Sequence, residues 1–151
     1  MKPLLVLFTV FILALLIFRF TQNEWELVHS GNIAMSVMLF FTAFGHFKFA
    51  NGMAMMLPDF VPYKKAFVYI TGIAEAIMGL ALLFPQYRYA SGIALIIFLV
   101  LVLPANIGAA FRRIDYEKAG YGGKGPEYLW FRIPMQIFLL SWVFYFSVIN
   151  V

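Results

Sequence analysis

The chain has 151 residues, of which 64% are apolar and 12% are charged. A soluble domain is typically about half apolar and about a quarter charged, so this composition excludes an ordinary soluble domain. A membrane-spanning helix uses about 20 residues, so the length allows about five spans and their loops but no separate catalytic domain among them. The net charge of +4 is typical of basic membrane loops and does not predict nucleic-acid binding.

The residue types exclude several kinds of redox and metal centre. The chain has no cysteine and only two histidines, His29 and His46. Without cysteine there is no disulfide, thiolate nucleophile or iron–sulfur cluster. The two histidines are 17 positions apart, which does not favour a bis-histidine haem. We therefore expect no haem, no iron–sulfur cluster, no metal site and no catalytic motif.

Five apolar stretches predict five membrane-spanning helices, because runs of this length without alternation indicate helices and not barrel strands. In chain order they are 3–18, 31–50, 66–84, 89–111 and 128–149. Pro58 and Pro62 separate the second helix from the third, and Pro85 ends the third. The glycine-rich stretch 120–125 predicts a flexible linker before the fifth helix. No small-residue cleavage site follows the first stretch, so we expect an uncleaved span and not a secretory signal.

Lysine and arginine residues predict the orientation of these spans. With five spans, seven Lys or Arg residues lie on the side of the N-terminus and two, Arg19 and Arg88, lie in loops on the opposite side. Basic loops face the cytoplasm, so the N-terminus is predicted to be cytoplasmic and the C-terminus external.

Few polar side chains lie within the predicted spans, and each is a candidate functional residue because a charge near the bilayer centre costs roughly 2.5–3.5 kcal/mol. The helical rise places His46, Asn106 and Arg132 about 8–9 Å from one surface. It places Glu75 and Gln136 about 14–15 Å deep. The sequence therefore predicts one polar layer on the cytoplasmic side, in which Arg132 reaches toward Glu75.

The third predicted helix has one face of small residues around its carboxyl group. Gly72, Glu75 and Gly79 are separated by three, four and seven positions, so they share a face, and small residues let neighbouring helices approach. Glu75 is therefore expected to point into the bundle. On the next helix, Pro104 frees the carbonyl of Val100, which can accept a side-chain donor.

Four ordered motifs resemble those of a known family. They are Gly45-His46-Phe47, VYITGIAE at 68–75, LPANI at 103–107 and WFRIPMQ at 130–136. Together they resemble the DoxX-like family of small bacterial integral membrane proteins. This resemblance implies an all-α polytopic membrane helical bundle within a single membrane domain, 1–151. A DoxX-like four-helix core would cover 31–149, with one extra N-terminal transmembrane helix at 3–20.

The resemblance also implies a bacterial inner (plasma) membrane location and a role as a redox-associated membrane subunit. Such a subunit would bind a quinone or another small lipophilic molecule in a polar pocket on the cytoplasmic side. Its partners would be the lipid bilayer and other membrane or redox subunits, with no nucleic acid. The residues expected to form this ligand-binding or structural polar core are His46, Thr71, Glu75, Asn106, Arg132 and Gln136.

Two other functions stay open. A non-enzymatic assembly factor or partner-binding protein would use the polar residues only to fix helix register, for example through a Glu75–Arg132 pair. A small transporter with Glu75 as its proton site is disfavoured, because we detect no inverted repeat. The residues predict neither an enzymatic activity nor an oligomeric state.

Overall fold

Five long helices and one short helix form nearly all of the fold. A computed structural model describes residues 2–150. The helices are α1 (Lys2–Gln22), α2 (Leu27–Lys48), α3 (Ala50–Met56), α4 (Lys64–Leu82), α5 (Pro85–Phe111) and α6 (Leu129–Val143). Between α5 and α6, the strands β1 (Ile114–Asp115) and β2 (Gly120–Tyr121) pair antiparallel, and a 3₁₀ turn covers Gly125–Tyr128. A π-helical segment, Phe144–Ile149, continues α6.

Five of these helical segments are long and apolar enough to cross a membrane, the last running from Gly125 to Ile149. Large apolar side chains are exposed on all five. That exposure is expected where the surrounding solvent is hydrocarbon, because lipid tails are as apolar as the exposed side chains. The predicted all-α, polytopic bundle of helices is therefore confirmed.

The element boundaries differ from the sequence-based ones in several places. The second helix begins at Leu27, earlier than predicted, and a short helix, α3, follows a break at Phe49 that the apolar pattern did not indicate. Pro85 begins α5 as well as following α4, because a proline is well tolerated in the first helical turn. The predicted flexible linker is wrong, since part of the glycine-rich stretch pairs with Ile114–Asp115 as a small hairpin.

Helix α2 lies at the centre of the bundle. It packs against α1 on one side and α4 on the other, α4 packs against α5, and α5 packs against the C-terminal helical segment. The buried core at these contacts includes Met35, Leu39, Leu82, Leu95 and Val143. The four helices α2, α4, α5 and α6 thus form most of the core, to which α1 adds Leu7.

Helix α1 is attached to the outside of this core. Only Leu7 and Ala14 of α1 are buried. Phe11 packs edge-on against Trp142 of α6, with ring centroids 4.9 Å apart, and the Trp142 indole N–H donates to the carbonyl of Gly31 at 3.1 Å. Trp142 therefore joins α1, α2 and α6 at one point.

Two glycines allow α2 and α4 to approach closely. A Cβ atom at Gly72 would lie 2.7 Å from the Cβ of His46, and one at Gly79 would lie 3.2 Å from the Cβ of Leu39. Isoleucines occupy the opposite, exposed side of α4 at positions 70, 73 and 77. The small face of α4 therefore faces α2, as the spacing of its glycines predicted.

We expect Gly72→Ala to force α2 away from α4, because the added methyl group overlaps His46. Overpacking of this kind typically costs about 1–3 kcal/mol. The measurement is the thermal unfolding midpoint of the purified protein in detergent. Gly45→Ala on α2 is the matched control, because its methyl group would meet only the end of Met53 at 3.8 Å. Equal midpoints for the two variants would contradict the tight-contact interpretation.

Candidate functional site

A first polar cluster lies between α2 and α4. Thr42 and His46 are four residues apart on α2, so they share one helix face. Thr71 and Glu75 are likewise four apart on α4. Because Gly72 lies between them in sequence and brings the backbones together, these side chains meet across the helix interface.

The carboxyl group of Glu75 is buried, with 6% of the residue exposed. The Thr42 hydroxyl donates to its Oε1 atom at 2.8 Å. Its Oε2 atom lies 3.3 Å from Nε2 of His46 but lacks an aligned hydrogen bond to any residue in the described part of the chain. A carboxyl group in such a place needs polar neighbours, because an unpaired buried charge is strongly destabilising. Glu75 therefore points into the bundle, as predicted.

The other nitrogen of His46 faces backbone. Nδ1 lies 3.1 Å from the carbonyl oxygen of Val68, and the Thr71 hydroxyl lies 3.3 Å from the same nitrogen. A carbonyl oxygen can only accept, so Nδ1 is the nitrogen that carries the proton in the neutral ring. The Nε2 lone pair then faces Glu75. The 3.3 Å separation leaves room for one proton between Nε2 and the carboxyl group once the two side chains align.

A second polar cluster lies between α5 and α6. Arg132 donates from Nη2 to Oδ1 of Asn106 at 2.8 Å. Gln136, one turn further along α6, donates to the carbonyl of Leu99 at 2.8 Å. Asn106 and Gln136 are buried, whereas Arg132 is partly exposed. Two buried donor atoms of this cluster, Nδ2 of Asn106 and Nε of Arg132, have no hydrogen-bond partner among residues 2–150.

A cavity of about 40 Å³ adjoins Asn106 and Arg132. Its remaining polar walls come from the α5–α6 connection, namely Tyr116, Lys124 and Tyr128. Burial, followed by the negative charge of Glu117, raises the pKa of the Tyr116 phenol. That phenol therefore stays neutral at physiological pH and can donate a hydrogen bond. The polar side chains around the cavity thus supply mainly N–H and O–H donors.

The six predicted polar-core residues form two clusters and not one layer. His46, Thr71 and Glu75 belong to the first cluster, whereas Asn106, Arg132 and Gln136 belong to the second. The expected reach of Arg132 toward Glu75 is wrong, because α6 packs against α5 and not against α4. Gln136 bonds to the carbonyl of Leu99, one residue before the one that Pro104 was expected to free. Depth along a helix follows from sequence, but the identity of the neighbouring helix does not.

A third polar cluster was not predicted. Asn32 donates to the carbonyl of Phe146 at 2.7 Å, and the Ser147 hydroxyl donates to Oδ1 of Asn32 at 2.7 Å. Both side chains are buried. Asn32 was passed over because it begins the second apolar stretch. The recurrence of Asn32 and Ser36 four residues apart could have indicated a polar helix face.

Arg88 is also placed differently from the prediction. It was counted as a loop charge, but it is 3% exposed and lies in the first turn of α5. Its Nε donates to the carbonyl of Leu82 at 3.2 Å. The partial negative charge of the carbonyl groups at the C-terminus of α4 offsets part of the cost of burying this cation at the beginning of α5.

Comparison with known proteins gives one match. A family model described as "Domain of unknown function (DUF8561)" matches residues 35–147, about three quarters of the chain. No curated protein and no solved structure matches. The matched range extends from within α2 into the π-helical segment, so it contains both the Glu75 cluster and the Arg132 cluster and leaves α1 outside.

We expect Thr42→Val to destabilise the protein, because it removes the hydrogen bond to the buried Glu75 without changing side-chain volume. Loss of one partner of a buried polar group typically costs about 1–3 kcal/mol. The measurement is denaturant unfolding in detergent micelles. The control is Thr21→Val, since the exposed Thr21 hydroxyl bonds only to the carbonyl of Ile17 in its own helix. If Thr21→Val destabilised the protein as much, the Glu75 contact would not be the cause.

Proposed function

This chain belongs to the family described as Domain of unknown function (DUF8561), and we propose that it binds the oxygen-bearing head of a small lipophilic molecule, a quinone, in the cavity beside Asn106 and Arg132. The observation that carries this proposal is that two residues lining one cavity, Asn106 and Arg132, each hold a buried donor, Nδ2 and Nε, that has no partner in the described part of the chain. A buried donor without a partner costs about 1–3 kcal/mol. A ligand that supplies acceptors at this point therefore gains affinity.

The chemistry of the cavity wall selects an acceptor. Asn106 has its oxygen occupied by Arg132, so its free group is the amide N–H₂. The guanidinium of Arg132 has donors only, and the Tyr116 phenol and Lys124 ammonium add further donors. Carbonyl oxygens, such as those of a quinone, only accept hydrogen bonds. A ligand whose head donates protons would leave these groups unpaired.

The size of the cavity limits how much of the molecule enters it. Pockets that enclose a whole small molecule measure roughly 300–1,000 Å³, whereas this one is about 40 Å³. It therefore accommodates a carbonyl group and not an entire ring. Phe111 and Trp130 are exposed at the same ends of α5 and α6 and offer an apolar surface for the remainder.

The redox association of the proposal depends on the DoxX-like resemblance of the four sequence motifs. By this resemblance the chain would be a bacterial inner-membrane subunit that associates with a redox enzyme. Quinone is the lipophilic molecule that such enzymes take from the bilayer. The cavity belongs on the cytoplasmic side in this proposal, because the basic loop residues Arg112, Arg113 and Lys124 lie on its side of the bundle.

A structural role in an assembly factor or partner-binding protein is the competing function. Its supporting observation is the Asn32 cluster, in which buried polar groups bond only to one another and to backbone. Under this alternative Asn106 and Arg132 serve only to hold α5 against α6. The two functions differ in whether loss of the amide donor affects ligand binding or only folding.

We expect Asn106→Asp to weaken binding of a short-chain quinone at least about tenfold, since an oxygen would replace the amide donor and repel a ligand carbonyl. The aspartate retains an acceptor for Arg132, so the contact between α5 and α6 is kept. The measurement is quenching of tryptophan fluorescence by decylubiquinone in detergent-purified protein.

The matched control is Asn51→Asp, which adds the same charge at an exposed position on α3. It should bind decylubiquinone as the wild type does. Unchanged affinity in a folded Asn106→Asp variant would overturn the proposed site. Failure of the wild type to bind decylubiquinone, together with poor accumulation of Asn106→Asp, would support the structural alternative.

A further inference from the structure

The pair formed by His46 and Glu75 has a chemistry that the proposed ligand cavity does not use. From its geometry we propose that His46 and Glu75 form a proton-exchange site, in which the His46 imidazole connects the buried carboxyl group with the end of the bundle that carries Lys64 and Lys65. This inference is independent of quinone binding, since the Glu75 cluster and the Arg132 cluster lie at different helix interfaces.

An attractive contact between the two side chains requires a shared proton, and their atoms are close but not yet aligned as a hydrogen bond. Nε2 of His46 and Oε2 of Glu75 are 3.3 Å apart, and both belong to poorly exposed side chains. Without a proton between them, two lone pairs would face each other in a surrounding of low polarity, which is unfavourable. With one proton, the pair is either a neutral acid beside a neutral ring or a carboxylate beside an imidazolium. Both forms have no net charge.

The imidazole ring lies between the carboxyl group and the end of the bundle that carries Lys64 and Lys65. Val68, whose carbonyl faces Nδ1, is four residues into α4, about 6 Å from its beginning. Glu75 is eleven residues in, about 16 Å deep. The side chain of His46 is 18% exposed, against 8% for Glu75. His46 is therefore the more accessible member, and its two nitrogens face outward and inward.

The proton transfer is balanced at named atoms. A proton moves from Oε2 of Glu75 to Nε2 of His46, and the Nδ1 proton leaves to solvent. The Thr71 hydroxyl, 3.3 Å from Nδ1, then donates to the lone pair left on that nitrogen. The pair then holds a carboxylate and a neutral ring, with one proton released. The single hydroxyl hydrogen of Thr42 can point to either of two acceptors. The Thr42 oxygen is 2.8 Å from Oε1 of Glu75 and 3.0 Å from the carbonyl oxygen of Leu39.

Few other charged groups face this pair. Helix α2 carries Lys48 at its end on this side and His29 near its opposite end, and α3 carries no charged residue. Helix α4 carries Lys64 and Lys65 at its beginning, of which Lys64 is paired with Asp59 at 2.8 Å. The remaining helices in contact carry Lys2 and Arg19 on α1, Arg88 on α5 and Arg132 on α6, of which Arg132 bonds to Asn106 at the α5–α6 interface.

Infrared spectroscopy of the detergent-purified full chain tests the proposal. We expect a carboxylic C=O band that is lost in Glu75→Gln and changes in intensity when the pH is varied across the range in which histidine titrates, about pH 5 to 8. In D₂O this band should shift rapidly in the wild type. His46→Gln, which can still donate a hydrogen bond to Glu75 but cannot relay a proton, should slow the shift at least about tenfold.

His29→Gln is the matched control, because His29 also pairs with a glutamate, Glu26, at 2.9 Å but on the exposed surface. It should leave both the band and its exchange rate unchanged. Exchange as fast in His46→Gln as in the wild type would overturn the relay. If His46→Gln does not fold, the wild type still decides, since a Glu75 band that is absent or unaffected by pH would overturn the proposal.

Discussion

The close packing of α2 against α4 is the contact on which the rest of the structure depends. Lipid offers no hydrogen-bond partners, so a polar side chain within a membrane helix must find them on a neighbouring helix. Gly72 and Gly79 remove the side chains that would keep the two backbones apart. This brings Thr42 and His46 within reach of Glu75, and it fixes the position of α2, against which α1 and the C-terminal helix then pack.

The polar clusters differ in how many of their hydrogen-bonding groups find a partner within the cluster. The Asn32 cluster is closed on itself through Ser147 and the carbonyl of Phe146. The Glu75 cluster is nearly closed, apart from the contact of Oε2 with His46, which requires a proton. The Arg132 cluster instead leaves two N–H donors beside a cavity. This gradation separates groups that hold the bundle together from groups that exchange a proton or meet a ligand.

The connection between α5 and α6 completes the cavity by local backbone geometry. The β1–β2 hairpin turns the chain back, and Gly125 has φ of +71°, a conformation that glycine adopts most readily. A Cβ at Gly123 would lie 2.7 Å from the carbonyl of Ile114, so that position also needs a residue without a side chain. Arg112 donates to the carbonyl of Met56 at 2.7 Å and ties α3 to the same end. A loop that was expected to be a linker thus forms part of a wall.

The sequence by itself determined that lipid surrounds the helices, how many long helices there are, and that Glu75 points inward. The length of an apolar run and the spacing of residues along a helix can be read from local sequence. In a membrane they predict the helices well, because a charge or a broken helix in hydrocarbon is costly. The sequence also indicated six of the seven polar residues of the two site clusters, all except Thr42. It could not indicate which of them meet.

Only the tertiary structure decided that Arg132 bonds to Asn106 and that His46 faces Glu75. These pairings depend on which helices are neighbours, and that is set by the total fit of small and large side chains over every interface. Polar residues at the same depth in the membrane can meet in several ways, depending on which helices are neighbours. The burial of Arg88 has the same origin, since it requires the end of α4 to lie beside the first turn of α5.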